Sequence, residues 1–437
     1  MDFSLLLLVY LLPVGVIWLV FTGLANRSSR RARAILEENR SAGLADPPSL
    51  HPFIDPARCL GCGACVRACP EKSILGIIDG KSALVEPASC VGHGACQTAC
   101  PTDAIELVFG TETRGVDIPI LTPEFETSAP GIFIAGELGG MGLIRNAIEQ
   151  GRRAIAVIAR RVAQAPAAGP GVLDVVIIGC GPAGISASLG AIEQKLSFVT
   201  LDQSCLGGTV AHFPRGKLVM TAPAILPLVG EVHFREVSKE NLLAFWVDVI
   251  SQSGFEPRFE EQVTAIVRSG EFFEVTSSKG SYRSRTVLLA IGRRGTPRRL
   301  GVPGEDRTKV VYRLVDPEQY AGQHVLVVGG GDSALEAAWR LAEQPDTEVT
   351  LSYRGDAYSR ARAKNRDAVK AMVARGLLRE ELSSNVLSID EDSVTLDCTG
   401  GVRKIPNDGV IICAGGLLPT AFLNDIGIRV ETKFGTA

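Results

Sequence analysis

Seven of the eleven cysteines lie between Cys59 and Cys100, in two near-copies of one spacing. The first copy is Cys59-x2-Cys62-x2-Cys65-x3-Cys69-Pro70. Three thiolates this close can surround one corner of a cubane iron–sulfur cluster while the fourth reaches a neighbouring cluster. Gly61 and Gly63 let the loop turn tightly and offer backbone N–H groups to sulfide. Zinc fits this run less well, because zinc knuckles pair separated CxxC units. A disulfide framework for the whole chain would not crowd its cysteines into so short a stretch.

The second copy reads Cys90-x2-His93-x2-Cys96-x3-Cys100-Pro101, with histidine where the second cysteine belongs. Eight ligand positions therefore carry seven thiolates. With ligands crossed between the loops, one cluster takes Cys59, Cys62, Cys65 and Cys100. The other takes Cys69, Cys90 and Cys96, with two readings for His93. Either its imidazole holds a fourth iron, the favoured reading because imidazole is a competent iron ligand, or the centre is a three-iron cluster with His93 beside it. The block resembles the two-cluster bacterial ferredoxin domain over 52–108, which implies two short hairpins and two helices around the clusters.

Ahead of it, Phe3 to Leu24 runs 22 residues without a charge, about 33 Å as a helix at 1.5 Å per residue and enough to cross a bilayer. Met1-Asp2 supplies no basic start for a cleaved signal peptide. Arg27, Arg30, Arg31 and Arg33 follow the apolar run, and flanking basic residues stay on the cytoplasmic side. The expectation is a single-pass helix over 3–24 in the cell inner membrane, a tether over 25–51, and catalytic domains facing the cytoplasm.

Two glycine loops follow. Asp174 to Gly184 is an apolar strand leading into Gly179-x-Gly181-Pro182-x-Gly184 and then a helical stretch, with Asp202 after the next strand. Gly179 permits the tight turn, Gly181 admits a pyrophosphate, and Gly184 lets helix pack on strand, while the acid accepts ribose hydroxyls. The second loop, Gly329-x-Gly331-Asp332-Ser333-Ala334, again joins strand to helix. Its next strand ends on Ser352, Tyr353 and Arg354 without an acid, and Arg360 follows. An acid would repel a 2′-phosphate and a guanidinium grips it, so NADP is favoured over NAD. With 45 basic against 48 acidic residues, no global positive field argues for a nucleic-acid partner.

Together with LLAIGRRGTPRRLGVPGED at Leu288 to Asp306 and DGVIICAGGLLPT at Asp408 to Thr420, these loops resemble the thioredoxin-reductase-like flavoproteins, in which an FAD domain is interrupted by an NADPH domain. The family's closing strand and helix stand here at Ala129 to Arg161, before the first glycine loop, so the chain looks circularly permuted; joining Ala437 to Pro130 would restore the order. The resemblance implies that Gly136 and Glu137 hold the flavin's ribityl and pyrophosphate, that Gly208 and Thr209 also line the FAD site, and that a helix from about Leu143 faces the isoalloxazine. The family's CxxC dithiol is missing, since VYRLVDPEQYAGQ occupies its place; dithiol-free relatives are ferredoxin–NADP reductases and certain disulfide reductases. The segment from His212 to Val237 has few strand signals and reads as a border of the flavin.

The expected fold is α/β: two Rossmann-like domains preceded by a small α+β two-cluster domain and one transmembrane helix. A permuted closing segment spans 113–162, a linker 163–171, the FAD domain 172–305, the NAD(P)H domain 306–403, and a return to the FAD domain 404–437. The expected cofactors are FAD, NADP or NAD, and two iron–sulfur clusters. The expected function is a membrane-anchored oxidoreductase exchanging electrons between NAD(P)H, FAD and the clusters. A quinone, a membrane redox protein or a ferredoxin is its acceptor or donor, and a homodimer is compatible. The competing functions are a disulfide reductase, with Cys205 as the residue to test, and a membrane-tethered redox sensor.

Overall fold

The structure, a computed structural model, describes residues 3–435 apart from 42, 43, 45, 48, 49, 113, 114, 141, 167, 168, 221, 222, 235, 294–297, 359, 360, 417 and 418; of 3–10 and 220 it describes the backbone alone. Arg360, the first residue of the closing segment, the middle of the linker and Ala437 thus lie outside the described residues. Two compact units divide the chain, one mostly 1–114 and the other mostly 115–433.

In the first unit a single helix runs Phe3–Ser41. Its large apolar side chains from Leu11 to Leu24 are exposed, Phe21 at 69% and Ile17 at 68%, so no described residue of the unit covers the apolar stretch. The helix does not stop there. Residues 25–41 contain neither glycine nor proline, and ARAILEEN is rich in helix formers, so the expected tether is helical as far as Ser41. This part is packed: Ala32 is buried against Gly76, whose added Cβ would sit 2.7 Å from that of Ala32. Asn39 Nδ2 donates to the carbonyls of Ile35 and Val85, both at 3.0 Å.

The cysteine module is closed by an antiparallel pair between His51–Ile54 and Ile105–Val108, its two ends. Leu75–Ile78 and Lys81–Leu84 form a hairpin turning at Asp79 and Gly80, both with positive φ. One hairpin and one end-to-end pair thus replace the two hairpins expected. The short helices Ala64–Ala68 and Ala95–Thr98 each begin after a left-handed glycine, Gly63 (φ 71°) and Gly94 (φ 80°). Cys65, Cys69, Cys90 and Cys96 share the buried core with Ile74, Leu75 and Ile105.

Two larger sheets, of six and five strands, organise the second unit. In the first, Val172–Ile178 lies between Ser281–Leu289 and Phe198–Leu201, all parallel. Val175, Val176, Ile177 and Ile178 of the central strand are buried on both faces, as a sheet covered by helices on either side requires. Ile132–Ile134 adds to Ser281–Leu289 in parallel, Ile132 opposite Val287, so the displaced closing strand does enter this sheet. Its helix, Ile144–Gln164, crosses Pro182–Glu193 at Gly151, where a Cβ would overlap the Ala183 carbonyl.

The joint of the permutation differs from the expected one. Val430–Lys433 pairs antiparallel with Val116–Pro119, Lys433 opposite Val116, and Ile120 N–H donates to the Arg429 carbonyl at 3.0 Å. Residues 116–119 thus lie beside the end of the last strand, inside the closing segment expected at 113–162, and this pairing points to Val116, not Pro130, as the neighbour of the last strand.

The second sheet runs Val310–Val311, Gly409–Ile412, His324–Val328, Glu348–Ser352, Leu378–Glu381, all parallel. Gly409–Ile412 pairs with His324–Val328, so the NAD(P)-type fold extends to Ile412 and not only to 403. A three-stranded antiparallel sheet from Asn385 to Pro406 packs against it. The stretch from His212 to Val237, read as poor in strands, contains two short antiparallel pairs, Leu218–Met220 with Glu236–Ser238 and Ala224–Leu226 with Gly230–Val232.

Candidate redox site

One cavity of the cysteine module is lined by Cys59, Cys62, Cys65 and Cys100 together. Three come from the first loop and the fourth from the end of the second, the set the crossed arrangement requires. Its walls carry donors: Gly61 N–H points at Cys59 Sγ (3.4 Å), as does Ser82 N–H (3.4 Å), and Ala104 N–H points at Cys100 Sγ (3.3 Å). A cage of four sulfurs surrounded by N–H groups suits an iron–sulfur cluster, which such donors stabilise. Burial pushes the Cys100 thiol up, but hydrogen bonds from Thr102 and Ala104 outweigh it and leave the thiol below its ordinary value.

The other set gathers around Cys69, Cys90 and Cys96, all buried. Burial raises all three thiols, Cys90 to about 11. Near neutrality the three thiols are protonated, and each would have to release its proton if it bound iron. Proton competition therefore grows as pH falls, so iron transfer from this centre to a chelator is expected to be faster at pH 6 than at pH 8; equal rates would contradict this. His93 stands beside Cys69, Nε2 to Sγ 3.7 Å, and its Nδ1 accepts the Ala95 N–H at 3.1 Å. Burial lowers the His93 pKa, which favours a neutral ring.

In the second unit three glycine segments converge on the N-terminus of Pro182–Glu193. Gly179 adopts φ 107°, and a Cβ on Gly184 would overlap its carbonyl oxygen. A Cβ on Gly208 would lie 3.1 Å from Gly181 Cα, and one on Gly136 3.1 Å from Ala183 Cβ. Backbone bared this way at a helix N-terminus is the cradle a dinucleotide pyrophosphate needs. Pro182 occupies the first turn, where its missing N–H costs no hydrogen bond, and Thr209 lies half-buried in the turn Gly208–His212.

Asp202 is buried, and burial raises its pKa. Its two oxygens accept the N–H groups of Cys180 (2.7 Å) and Ser204 (2.8 Å). It thus ties the glycine turn to the segment after the second strand, and each oxygen retains a lone pair for a ribose hydroxyl. Glu137 is half-buried, close to the Arg293 guanidinium, whose pKa burial lowers while Glu137 and Asp117 oppose that. Arg293 also donates to the Asp117 carbonyl at 3.1 Å.

Two residues here escaped the sequence reading. Gln150 accepts the Gly136 N–H through Oε1 at 2.7 Å, and as a polar side chain beside the apolar stripe of its helix it was visible in principle. Arg293 carried no such signal, because its place beside Glu137 appears only in the fold.

At the second glycine loop, Gly329 has φ 141° and a Cβ on it would overlap the Cys413 carbonyl. Gly331 caps Asp332–Ala342 with open space around it. Asp332 turns toward another helix: Oδ1 accepts the Arg362 N–H (2.8 Å) and Asn365 Nδ2 (2.7 Å), and Oδ2 lies 3.6 Å from Arg362 Nε. Its carboxylate is committed to the start of Ala363–Ala374. Ser333 and Arg354 are exposed, and the ring of Tyr353 lies against Gly330 and Gly355.

The model of the family described as pyridine nucleotide-disulphide oxidoreductase matches residues 176–435, more than half the chain. The chain belongs to that family. A 4Fe-4S dicluster domain matches residues 51–101. This pyridine nucleotide-disulphide oxidoreductase is therefore an iron–sulfur flavoenzyme, with FAD, NAD(P) and a dicluster domain in one chain. It is similar to a ferredoxin–NADP reductase of Ignicoccus hospitalis, 28% identical over 267 residues covering 60% of this chain and 83% of the relative. It is also similar to bacilliredoxin reductase Bdr of Bacillus subtilis, 26% identical over 60% of this chain and 82% of the relative. Bacillithiol disulfide reductase Bdr from Staphylococcus aureus shares the fold, with a TM-score of 0.50 and 24% identity over 59% of this chain and 80% of its own.

Proposed function

We propose that this oxidoreductase is anchored in a membrane and exchanges electrons between NADPH and a membrane-bound one-electron carrier. Bound FAD supplies hydride exchange with the nicotinamide and single-electron exchange with the clusters. The chain's residues position and tune. The three glycine segments and the tie from Asp202 would hold the dinucleotide, half-buried Arg293 would place positive charge near the flavin, and Arg354 would meet the 2′-phosphate. Cys59, Cys62, Cys65 and Cys100 would hold one cluster, and Cys69, Cys90 and Cys96 the other.

The observation that carries the membrane reading is the clamp between the long helix and the cysteine module. Ser29 Oγ accepts the Asp79 N–H at 3.2 Å, and Arg33 pairs with Asp79. Ser29 follows Leu24 by five residues, a rise of about 7.5 Å. The same hairpin turn touches the first cluster loop: a Cβ on Gly61 would overlap the Gly80 carbonyl, and Lys81 Nζ donates to the Cys59 carbonyl at 2.7 Å. The first cluster loop, with Leu60 72% exposed, is thereby held close to where the apolar segment ends. Deleting residues 1–24 should move the protein from the membrane to the soluble fraction while NADPH-dependent reduction of a soluble one-electron dye persists. A full-length protein that washes off membranes in high salt would contradict the anchor.

Arg354→Ala is expected to raise KM for NADPH about tenfold, as loss of a charge-assisted contact of about 1.5 kcal/mol implies, with KM for NADH unchanged. Equal effects on both would remove Arg354 from the phosphate site. A disulfide-reducing activity is the second reading, favoured by the likeness to the two Bdr proteins and by the exposure of Cys205. Cys205→Ser distinguishes them, since dye reduction should survive it and disulfide reduction should not.

A further inference from the structure

The two cluster loops share a backbone. Cys62 is flanked by Gly61 (φ 68°) and Gly63 (φ 71°), and His93 by Gly92 (φ 72°) and Gly94 (φ 80°). The four glycines are left-handed, and each of the two loops feeds a short helix, so His93 occupies the position that Cys62 occupies in the first loop. A ligand at that position would hold the fourth iron.

The hydrogen bonds around the imidazole oppose that role. A ligating histidine keeps its lone pair on the metal-bound nitrogen and donates its other N–H to an acceptor. Here Nδ1 faces a donor, the Ala95 N–H at 3.1 Å, so Nδ1 must carry the lone pair and Nε2 the proton. That Nε2–H points at Cys69 Sγ, 3.7 Å away, a sulfur of the same centre. Ligation through Nε2 would require an imidazolate or the loss of the Ala95 hydrogen bond, which would leave a part-buried N–H without its partner. Turning the ring over would set a carbon against Ala95 N–H.

We infer that His93 is not an iron ligand: its Nε2–H donates to the Cys69 thiolate, and the second centre is a three-iron cluster held by Cys69, Cys90 and Cys96 alone. This inference rests on the two-cluster reading of the cysteine block and replaces the histidine ligation favoured on sequence grounds. An N–H donor on a cluster thiolate stabilises the more negative, reduced state and so raises the potential. His93 is on this account a tuning residue.

The test is iron analysis and EPR of the anaerobically purified holoprotein, before and after incubation with ferrous iron and reductant. The expected result is about seven irons per chain, from one four-iron and one three-iron centre, with a three-iron signal in the oxidised state that persists after the incubation. His93→Cys should raise the count to about eight and abolish that signal. His93→Ala should keep about seven irons and the signal while shifting the potential of the second centre downward, and His93→Gln, which retains an N–H donor, should restore part of the shift. A wild-type count of about eight, falling to about seven in His93→Ala, would overturn the inference and leave the two-cluster reading intact. A wild-type count of about four would overturn both.

Discussion

Gly184→Ala is expected to yield a folded protein nearly free of flavin. The added Cβ would overlap the Gly179 carbonyl oxygen, and that oxygen belongs to the turn that presents backbone to the pyrophosphate. Neither side can yield cheaply, because Gly179 follows the buried end of its strand and Gly184 sits in a buried stretch of helix. Overpacking against backbone costs about 3 kcal/mol, and if the turn moves to relieve it the cost falls on FAD affinity as roughly a hundredfold loss. Flavin absorbance per mole of purified protein and the Kd from titration of the apoprotein measure it. Gly280→Ala, where a Cβ meets nothing within 4 Å, is the control and should keep its flavin. Full flavin occupancy in Gly184→Ala would remove this turn from the cofactor site.

Cys100→Ala should abolish the first cluster and spare the second, although Cys100 belongs by sequence to the second loop. The cavity that Cys100 lines is the one lined by Cys59, Cys62 and Cys65, whereas the Cys69 sulfur faces His93 of the second loop. Loss of one thiolate from a four-thiolate cage should remove at least the iron that thiolate holds, and with it the four-iron signal of the first centre, while the three-iron signal of the second centre stays. If each loop instead served its own cluster, the same variant would lose the second centre and keep the first. Reduced-state EPR with iron analysis separates the two outcomes.

What the sequence showed and what it hid divide along a physical line. The cysteine spacings and both glycine loops are short, because a cluster corner or a phosphate cradle is built from neighbouring residues. Features that depend on distant partners were misjudged. The antiparallel pair of Val430–Lys433 with Val116–Pro119 joins residues more than three hundred positions apart, with Thr432 Oγ1 bonded to Asp117 at 2.6 Å, and it relocated the permutation joint. Asp332 follows the second glycine loop as a nucleotide-binding residue would, yet Arg362 and Asn365 engage it. The helical stretch beyond Leu24 shows helix-forming composition, but only its contacts with Gly76, Asp79 and Val85 reveal that it packs. His93 could be placed at the second centre from spacing, while the direction of its hydrogen bonds depends on the Ala95 N–H.

The central claim, that electrons move between pyridine nucleotide and the clusters within one chain, is tested most directly by anaerobic titration with NADPH, following flavin absorbance and cluster EPR together. The predicted result is flavin bleaching accompanied by cluster reduction or, where the potentials oppose that direction, formation of NADPH when dithionite-reduced protein is given NADP. Clusters that accept electrons from dithionite, yet neither receive them from NADPH nor return them to NADP while the flavin cycles normally, would contradict the account.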